Sequence, residues 1–270
     1  MIIRFLLMIL LISPHASYAK IKVVTSITPL ASLVAMIAGD RVEISNLASG
    51  DACPHHYSLK PSDIKNAQEA ELFIYIDQRF DLFAKPLLDK SRAKILQVSK
   101  IEGLKLEKDN WHLWLLPENA MAILRSLVDY LNLIAPDDKI FFEHNLSRAL
   151  TKLQELEELR LKALSNGRFI LLSHSADYLF FGADFSKLHQ DDQYGSLRII
   201  DELATIPKDR CFIISSGQSY DKYQNLLPKN SHIAQLETEN WVISGSLVDL
   251  YYQRIQEMLK AIEGCNDTRR

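Results

Sequence analysis

Past its first twenty residues this 270-residue chain has no stretch long and uncharged enough to cross a membrane, since a helical span needs about 20 apolar residues. It also lacks a run of lysine and arginine that could neutralise a row of phosphates. Its acids and bases are mixed along the sequence and leave a formal net charge of −3, which excludes nucleic acid as an expected partner. Glycine and proline number only nine each, and no low-complexity tract or internal repeat is present, so a fully folded chain is expected. Cysteine is scarcer still. Cys53, Cys211 and Cys265 allow three pairings, of which an oxidising compartment would favour one. The helical zinc-hydrolase signature His-Glu-x-x-His is absent as well.

The first residues differ from the rest. Arg4, the apolar stretch 5–12 and the small-residue end Ser17-Tyr18-Ala19 read as a secretory signal peptide, residues 1–19, cleaved before Lys20. No cysteine near that point could carry a lipid anchor, so the expected location is the periplasm, with the mature protein free and monomeric. About 250 residues then remain, enough for one large or two modest α/β domains.

The pattern along the chain alternates strands with helices. Ile21-Lys22-Val23-Val24-Thr25-Ser26 reads as a strand running into an apolar helix over 30–38 that Gly39 ends. A strand over 42–47, a helix started by Pro61-Ser62-Asp63 and a buried strand over 72–76 follow. Pro117 in a first turn starts another helix. Residues 137–164 have no internal glycine or proline and predict one helix of about 40 Å, with Glu155, Glu157 and Glu158 on a solvated face. After Gly167 a second series begins, with strands over 169–173, 211–215 and 233–236 and helices near 194–203 and over 247–262. Strands alternating with helices imply parallel βαβ units. The expected fold class is α/β, and a helix over 137–165 can join two Rossmann-like lobes, 20–136 and 166–270.

Three histidines are expected where strands meet loops: His55 in Pro54-His55-His56-Tyr57, His112 in Trp111-His112-Leu113-Trp114-Leu115, and His174 after Phe169-Ile170-Leu171-Leu172-Ser173. Ligands of open parallel sheets bind beyond the carboxyl ends of strands, and neutral imidazole is the commonest protein ligand for zinc. Strand ends meeting at a cleft could bring the three rings onto one ion, which points to metal binding. The remaining histidines and tryptophans read more blandly: His56 and His189 as loop residues, His144 as an exposed helical residue, Trp111 and Trp114 as packing groups.

The motifs around these histidines resemble the metal-binding branch of the periplasmic solute-binding proteins that feed ABC importers, especially its zinc-specific members. His55 with Tyr57-Ser58-Leu59-Lys60-Pro61-Ser62-Asp63 is close to the family's His-Asp-Tyr-Ser-Leu-Arg-Pro-Ser-Asp. His112-Leu113-Trp114-Leu115-Leu116-Pro117-Glu118 is similar to His-Ile-Trp-Leu-Ser-Pro-Glu, and His174 stands in a match to His-Asp-Ala-Tyr. The resemblance implies two α/β lobes joined by the long helix, with zinc as transported ligand held in the cleft between them by His55 and His112 of the first lobe and His174 of the second, and delivery to a membrane permease with its ATPase. It also implies a Cys211–Cys265 disulfide and no enzymatic activity. Where the family has an aspartate in Leu-Asp-Pro-Leu-Gly, this chain has Leu236-Glu237-Thr238-Glu239-Asn240, which makes Glu237 the expected fourth ligand. The family's Glu-Pro-Gln-Phe is replaced by Ser216-Gly217-Gln218-Ser219, and the histidine-rich acidic loop of many zinc members is absent.

Two alternatives stand beside this expectation. A zinc hydrolase also holds its metal with three imidazoles and an open position, and Glu237, Glu239 or Asp177 could then serve as its base. A manganese or other divalent-metal receptor would share the fold, although manganese-preferring relatives tend to have a glutamate where this chain has His174.

Overall fold

The structure, a computed structural model, describes residues 19–48, 57–165, 167–188, 206, 210–215, 227, 231–239, 241–243 and 245–267. The expected signal peptide before residue 19, Cys53, His55, His56, His189 and the helix expected near 194–203 lie outside them.

The first lobe is built from β1 (Ile21–Ile27), α1 (Thr28–Ala38), β2 (Val42–Ala48), α2 (Pro61–Glu69), β3 (Leu72–Tyr75), α3 (Lys85–Leu88), β4 (Lys94–Gln97) and α4 (Pro117–Ile134). Its sheet runs β2-β1-β3-β4, parallel throughout. A long helix, α5 (Lys139–Leu164), leads to the second lobe, which contains β5 (Phe169–Leu171), β6 (Phe185–Lys187), β7 (Cys211–Ser215), β8 (His232–Leu236) and α6 (Leu247–Asp267). The second sheet repeats the first one's order as β6-β5-β7-β8, again all parallel. In both, the order reverses beside the first strand, which opens a crevice at the carboxyl edge where ligands of such sheets bind.

Parallel strands need apolar cover on both faces, and the alternation within each strand supplies it. Val23 and Ile27 of β1, with Leu72 and Ile74 of β3, join the large inner core. Val24, Phe73 and Tyr75 face an outer cluster with Leu47, Ala67 and Leu87. The second sheet divides in the same way, with Phe169, Leu171 and Ile213 inward and Ile170, Phe212 and Ile214 outward. The inner core is continuous between the lobes, joining Leu30 of α1, Leu153 of α5, Ile213 of β7 and Ile255 of α6.

Helix α1 is buried along its whole length, which explains its apolar composition. Gly39 ends it at φ +53, a conformation that L side chains rarely adopt. The buried Ser32 of α1 fastens α6. Its hydroxyl donates to the Leu247 carbonyl at 2.8 Å and accepts from the Tyr251 amide at 2.8 Å. Cys211 of β7 is bonded to Cys265 of α6, with their Cα atoms 5.8 Å apart, so α6 is covalently tied to the second sheet.

Three local expectations differ from the structure. Strands β4 and β6 were not apparent in the sequence pattern. Both are short sheet edges with mixed exposure, so they lack the continuous apolar run of a central strand. The segment around His112 is no strand end: Leu113–Leu115 forms a 3-10 turn with all three side chains buried, because the chain there plugs the core instead of joining a sheet. The acidic run of α5 is not wholly solvated either. Glu155 and Glu158 are exposed, but Glu157 turns inward and receives Arg160 through two bonds, Nε at 2.8 Å and Nη2 at 2.5 Å. Among the described residues no helix is long and apolar enough to cross a membrane.

Candidate metal site

His112 is set by a stapled loop. The buried Asn119, in the first turn of α4, accepts from the Lys105 amide at 2.8 Å and donates to the carbonyls of Lys105 and Leu113 at 3.0 and 3.1 Å. One amide thus closes both ends of the segment carrying the histidine. Within it Asp109 adopts φ +57, which Asp tolerates better than most residues, and the turn points Asn110 inward. The Asn110 Oδ1 accepts from the His112 backbone amide at 3.0 Å and lies 2.9 Å from its ring Nδ1. Phe80 and Trp114 pack against the ring, with centroids at 5.6 and 5.2 Å.

The other ring nitrogen, Nε2, lies 2.7 Å from Oε1 of Glu239, with both side chains largely buried at 13% and 14% exposure. This contact joins the lobes, because Glu239 follows the carboxyl end of β8. The turn that presents it is held by the fully buried Trp241. The Trp241 indole donates to the Glu237 carbonyl at 2.9 Å and its backbone amide to the Glu239 carbonyl at 3.0 Å. Glu237, the carboxylate expected as fourth ligand, is half-buried on the same turn. The residue found against His112 is Glu239. The two acids flank the buried Thr238 just beyond β8, and sequence pattern alone could not rank them.

His174 begins a 3-10 turn, His174–Phe180, directly beyond β5. Its side chain is 65% exposed and its Nδ1 is 3.4 Å from Oδ2 of the buried Asp177, which also takes Lys187 Nζ at 2.6 Å. Beneath the loops carrying His174 and Glu239 runs a chain of buried hydroxyls. Ser173 Oγ is 2.8 Å from Ser175 Oγ, Thr238 Oγ1 donates to Ser175 Oγ at 3.1 Å, and Ser215 Oγ is 2.7 Å from Thr238 Oγ1. This chain ties the carboxyl ends of β5, β7 and β8 together.

Behind Phe80 sits a pair of acids. Asp81 accepts from the amides of Ile76 at 2.5 Å and Asp77 at 3.2 Å, but burial pushes its carboxyl up to about 7. Burial would raise Asp77 too, yet hydrogen bonds from Arg79 and Ser99 outweigh it and hold that carboxyl at about 2. Arg79 in turn lies over the Trp111 ring, 4.1 Å from its centroid, so Trp111 and the fully buried Trp114 are packing groups.

Of the expected ligands, then, His112 meets a carboxylate across the lobe seam and His174 stands beyond β5. His55 belongs to the segment after β2, outside the described residues. Among the described residues no group of three or more side chains of metal-binding type converges. A cavity of about 870 Å3 between β4 and α4, lined by Gln97, Lys100, Arg125 and Tyr130 among others, includes none of these residues.

Two parallel α/β lobes on a long helix, with an imidazole and a carboxylate facing each other across the seam, define a two-lobed binding protein with metal-type donors at its cleft. The model of the family described as ZnuA, zinc-uptake complex component A, periplasmic, matches residues 23–191. The chain belongs to this family of periplasmic metal-binding receptors of ABC importers. A relative, the uncharacterized protein RP014 of Rickettsia prowazekii (strain Madrid E), is 35% identical over 256 residues, covering 91% of this chain and 85% of the relative. The manganese ABC transporter substrate-binding lipoprotein PsaA of Streptococcus pneumoniae is 27% identical over 169 residues, which cover 57% of this chain and about half, 54%, of that protein. Among solved structures, the periplasmic zinc binding protein TroA from Treponema pallidum superposes with a TM-score of 0.72 at 15% identity, over 90% of this chain and 99% of that one. That likeness is one of fold.

Proposed function

We propose that this receptor captures one zinc ion between its lobes in the periplasm and passes it to the permease of an ABC importer, which an ATPase drives. The observation that carries the reading is the contact of His112 Nε2 with Glu239 Oε1 at 2.7 Å across the seam. An imidazole and a carboxylate from opposite lobes already share the space that a cation would fill. The proposed ligands are His55, His112 and His174 with one carboxylate. Glu239 is supported by its contact, whereas Glu237, the expected residue, is the alternative on the same turn.

Zinc is proposed over manganese on donor chemistry. Three imidazole nitrogens suit zinc, while carboxylate-rich, oxygen-dominated sets suit manganese. The family's relatives named for zinc and for manganese make selectivity a matter for direct measurement. The lobes provide the signalling step, since a filled cleft and an empty one differ in shape and a permease can distinguish them. Export relies on residues 1–19 acting as the signal peptide. The lobe boundaries at 20–136 and 166–270 and a monomeric state belong to the same reading.

The test is titration of the metal-free protein with zinc and manganese against a chelator, beside a variant with His55, His112 and His174 all changed to alanine. The expected result is one zinc ion bound at nanomolar affinity, about −12 kcal/mol, and lost in the variant. Tighter manganese binding would redirect the selectivity, and unchanged binding in the variant would remove the site.

A further inference from the structure

Asn110 is buried at the seam and uses every group it has. Its Oδ1 accepts from the His112 backbone amide at 3.0 Å and faces His112 Nδ1 at 2.9 Å. Its Nδ2 donates to the His174 carbonyl at 2.6 Å and reaches Asp177 Oδ2 at 3.3 Å. Its own carbonyl accepts from the Tyr178 hydroxyl at 3.1 Å, and that hydroxyl accepts from the Glu107 amide at 2.8 Å. The first set of contacts lies on the His112 segment and the second on the turn beyond β5.

The polarity of this amide is unambiguous, which is unusual for asparagine. A backbone N–H on one side must meet oxygen, and a backbone carbonyl on the other must meet nitrogen. With Oδ1 so assigned, the ring nitrogen beside it has to donate, and the proton of His112 sits on Nδ1. Its Nε2 is thereby directed at the cleft. No other side chain of this size can do both tasks. Aspartate accepts but cannot donate to the His174 carbonyl, and serine is too short to span the two segments.

We infer that Asn110 is the positioning residue of the metal site: one amide selects Nε2 of His112 as the nitrogen offered to the ion and pins that histidine to the main chain of His174 in the opposite lobe. The inference rests on the zinc-receptor reading above and adds a residue to it. Opening the seam to release metal must break the bond from Asn110 to His174, so the amide holds the filled cleft shut. Groups that orient a metal-ligating histidine through its second nitrogen change metal affinity by about 10–100-fold when removed.

Two substitutions separate the two tasks. Asn110→Ala removes both, and Asn110→Asp, nearly isosteric, keeps the acceptor for Nδ1 while losing the donor to His174. The readouts are the hydrogen-bonded Nδ1 proton of His112 by NMR in the metal-free protein and, with zinc alone as ligand, affinity and dissociation rate. The expected pattern is loss of the protected Nδ1 signal and about 10–100-fold weaker zinc binding in the alanine variant. The aspartate variant should keep the Nδ1 signal but release zinc at least about tenfold faster. An alanine variant with the signal and affinity of the native protein would overturn the orienting role, and an aspartate variant with native release would overturn the tie between the lobes. The Nδ1 signal needs no metal, so it reads the Asn110 bond even if the native protein fails to bind zinc, a result that would instead sink the receptor reading.

Discussion

His112 Nε2 and Glu239 Oε1 stand 2.7 Å apart across the lobe seam. The ring's other nitrogen donates to Asn110, so an imidazole in its neutral form would turn a bare lone pair toward a carboxylate that can only accept. That distance is stable when a proton lies between the two atoms, and a metal ion arriving there takes the proton's place. Zinc binding should therefore release a proton. Calorimetric titration in buffers of different ionisation enthalpy will show it as a buffer-dependent heat, and a heat independent of buffer would mean that no proton is displaced.

The two acids on the turn after β8 should behave differently. Glu239→Gln is expected to weaken zinc binding by at least about tenfold, as loss of a charged donor does, while Glu237→Gln should stay close to native. Chelator competition on both variants decides between them, and the opposite ranking would return the ligand role to Glu237.

Arg160 is 2% exposed, paired with Glu157, and donates to the carbonyls of Leu179 and Phe181 at 3.0 and 2.8 Å. It fixes α5 to the turn beyond β5. Arg160→Ala leaves Glu157 unpaired and two carbonyls without their donor, for a cost of about 3–5 kcal/mol. Urea unfolding measures it, and a loss below about 1 kcal/mol would show the pair to be no more than a surface ion pair.

Thr238→Val breaks the hydroxyl chain from Ser175 to Ser215 while keeping side-chain shape. The hydroxyls left without this partner should cost about 1–3 kcal/mol. Because Thr238 adjoins Glu239, zinc release should quicken as well. Native stability together with a native release rate would show that the chain does not hold the two loops.

Stability should fall as pH rises toward neutrality because of Asp81. Its folded-state carboxyl titrates at about 7 against an ordinary 3.8, so between these values the folded protein keeps a proton that the unfolded chain has released. The contribution is complete below about pH 4 and is lost as pH rises through 7. Asp77 acts oppositely at the acid end: held at about 2, it contributes above pH 4 and loses that contribution as pH falls to 2. Asp81→Asn should flatten the stability profile between pH 4 and 7 in thermal unfolding, and an unchanged slope would assign it to other groups.

Much of the frame was legible in sequence. Ile21-Lys22-Val23-Val24 and Cys211-Phe212-Ile213-Ile214 read as strands because central parallel strands are covered on both faces, and Gly39 and Pro117 marked helix ends through backbone geometry that few other residues share. Edge strands β4 and β6 were not legible, since an edge needs less apolar cover, and the 3-10 turn after His112 looked like a strand because any short buried apolar run does. Glu157 looked solvated because a charge on a helix carries no mark of whether a buried partner such as Arg160 waits three residues on.

The sequence by itself therefore determined the alternation of strands and helices, the parallel sheets and the place of His174 beyond β5, all of which follow from local preferences and burial periodicity. Which carboxylate meets His112, and which amide chooses the nitrogen that His112 offers, were decided only by the tertiary structure. Glu239 and Asn110 owe their roles to contacts with residues 127 and 64 positions away, and hydrogen bonds at such separations follow from how two lobes pack, which no local pattern encodes.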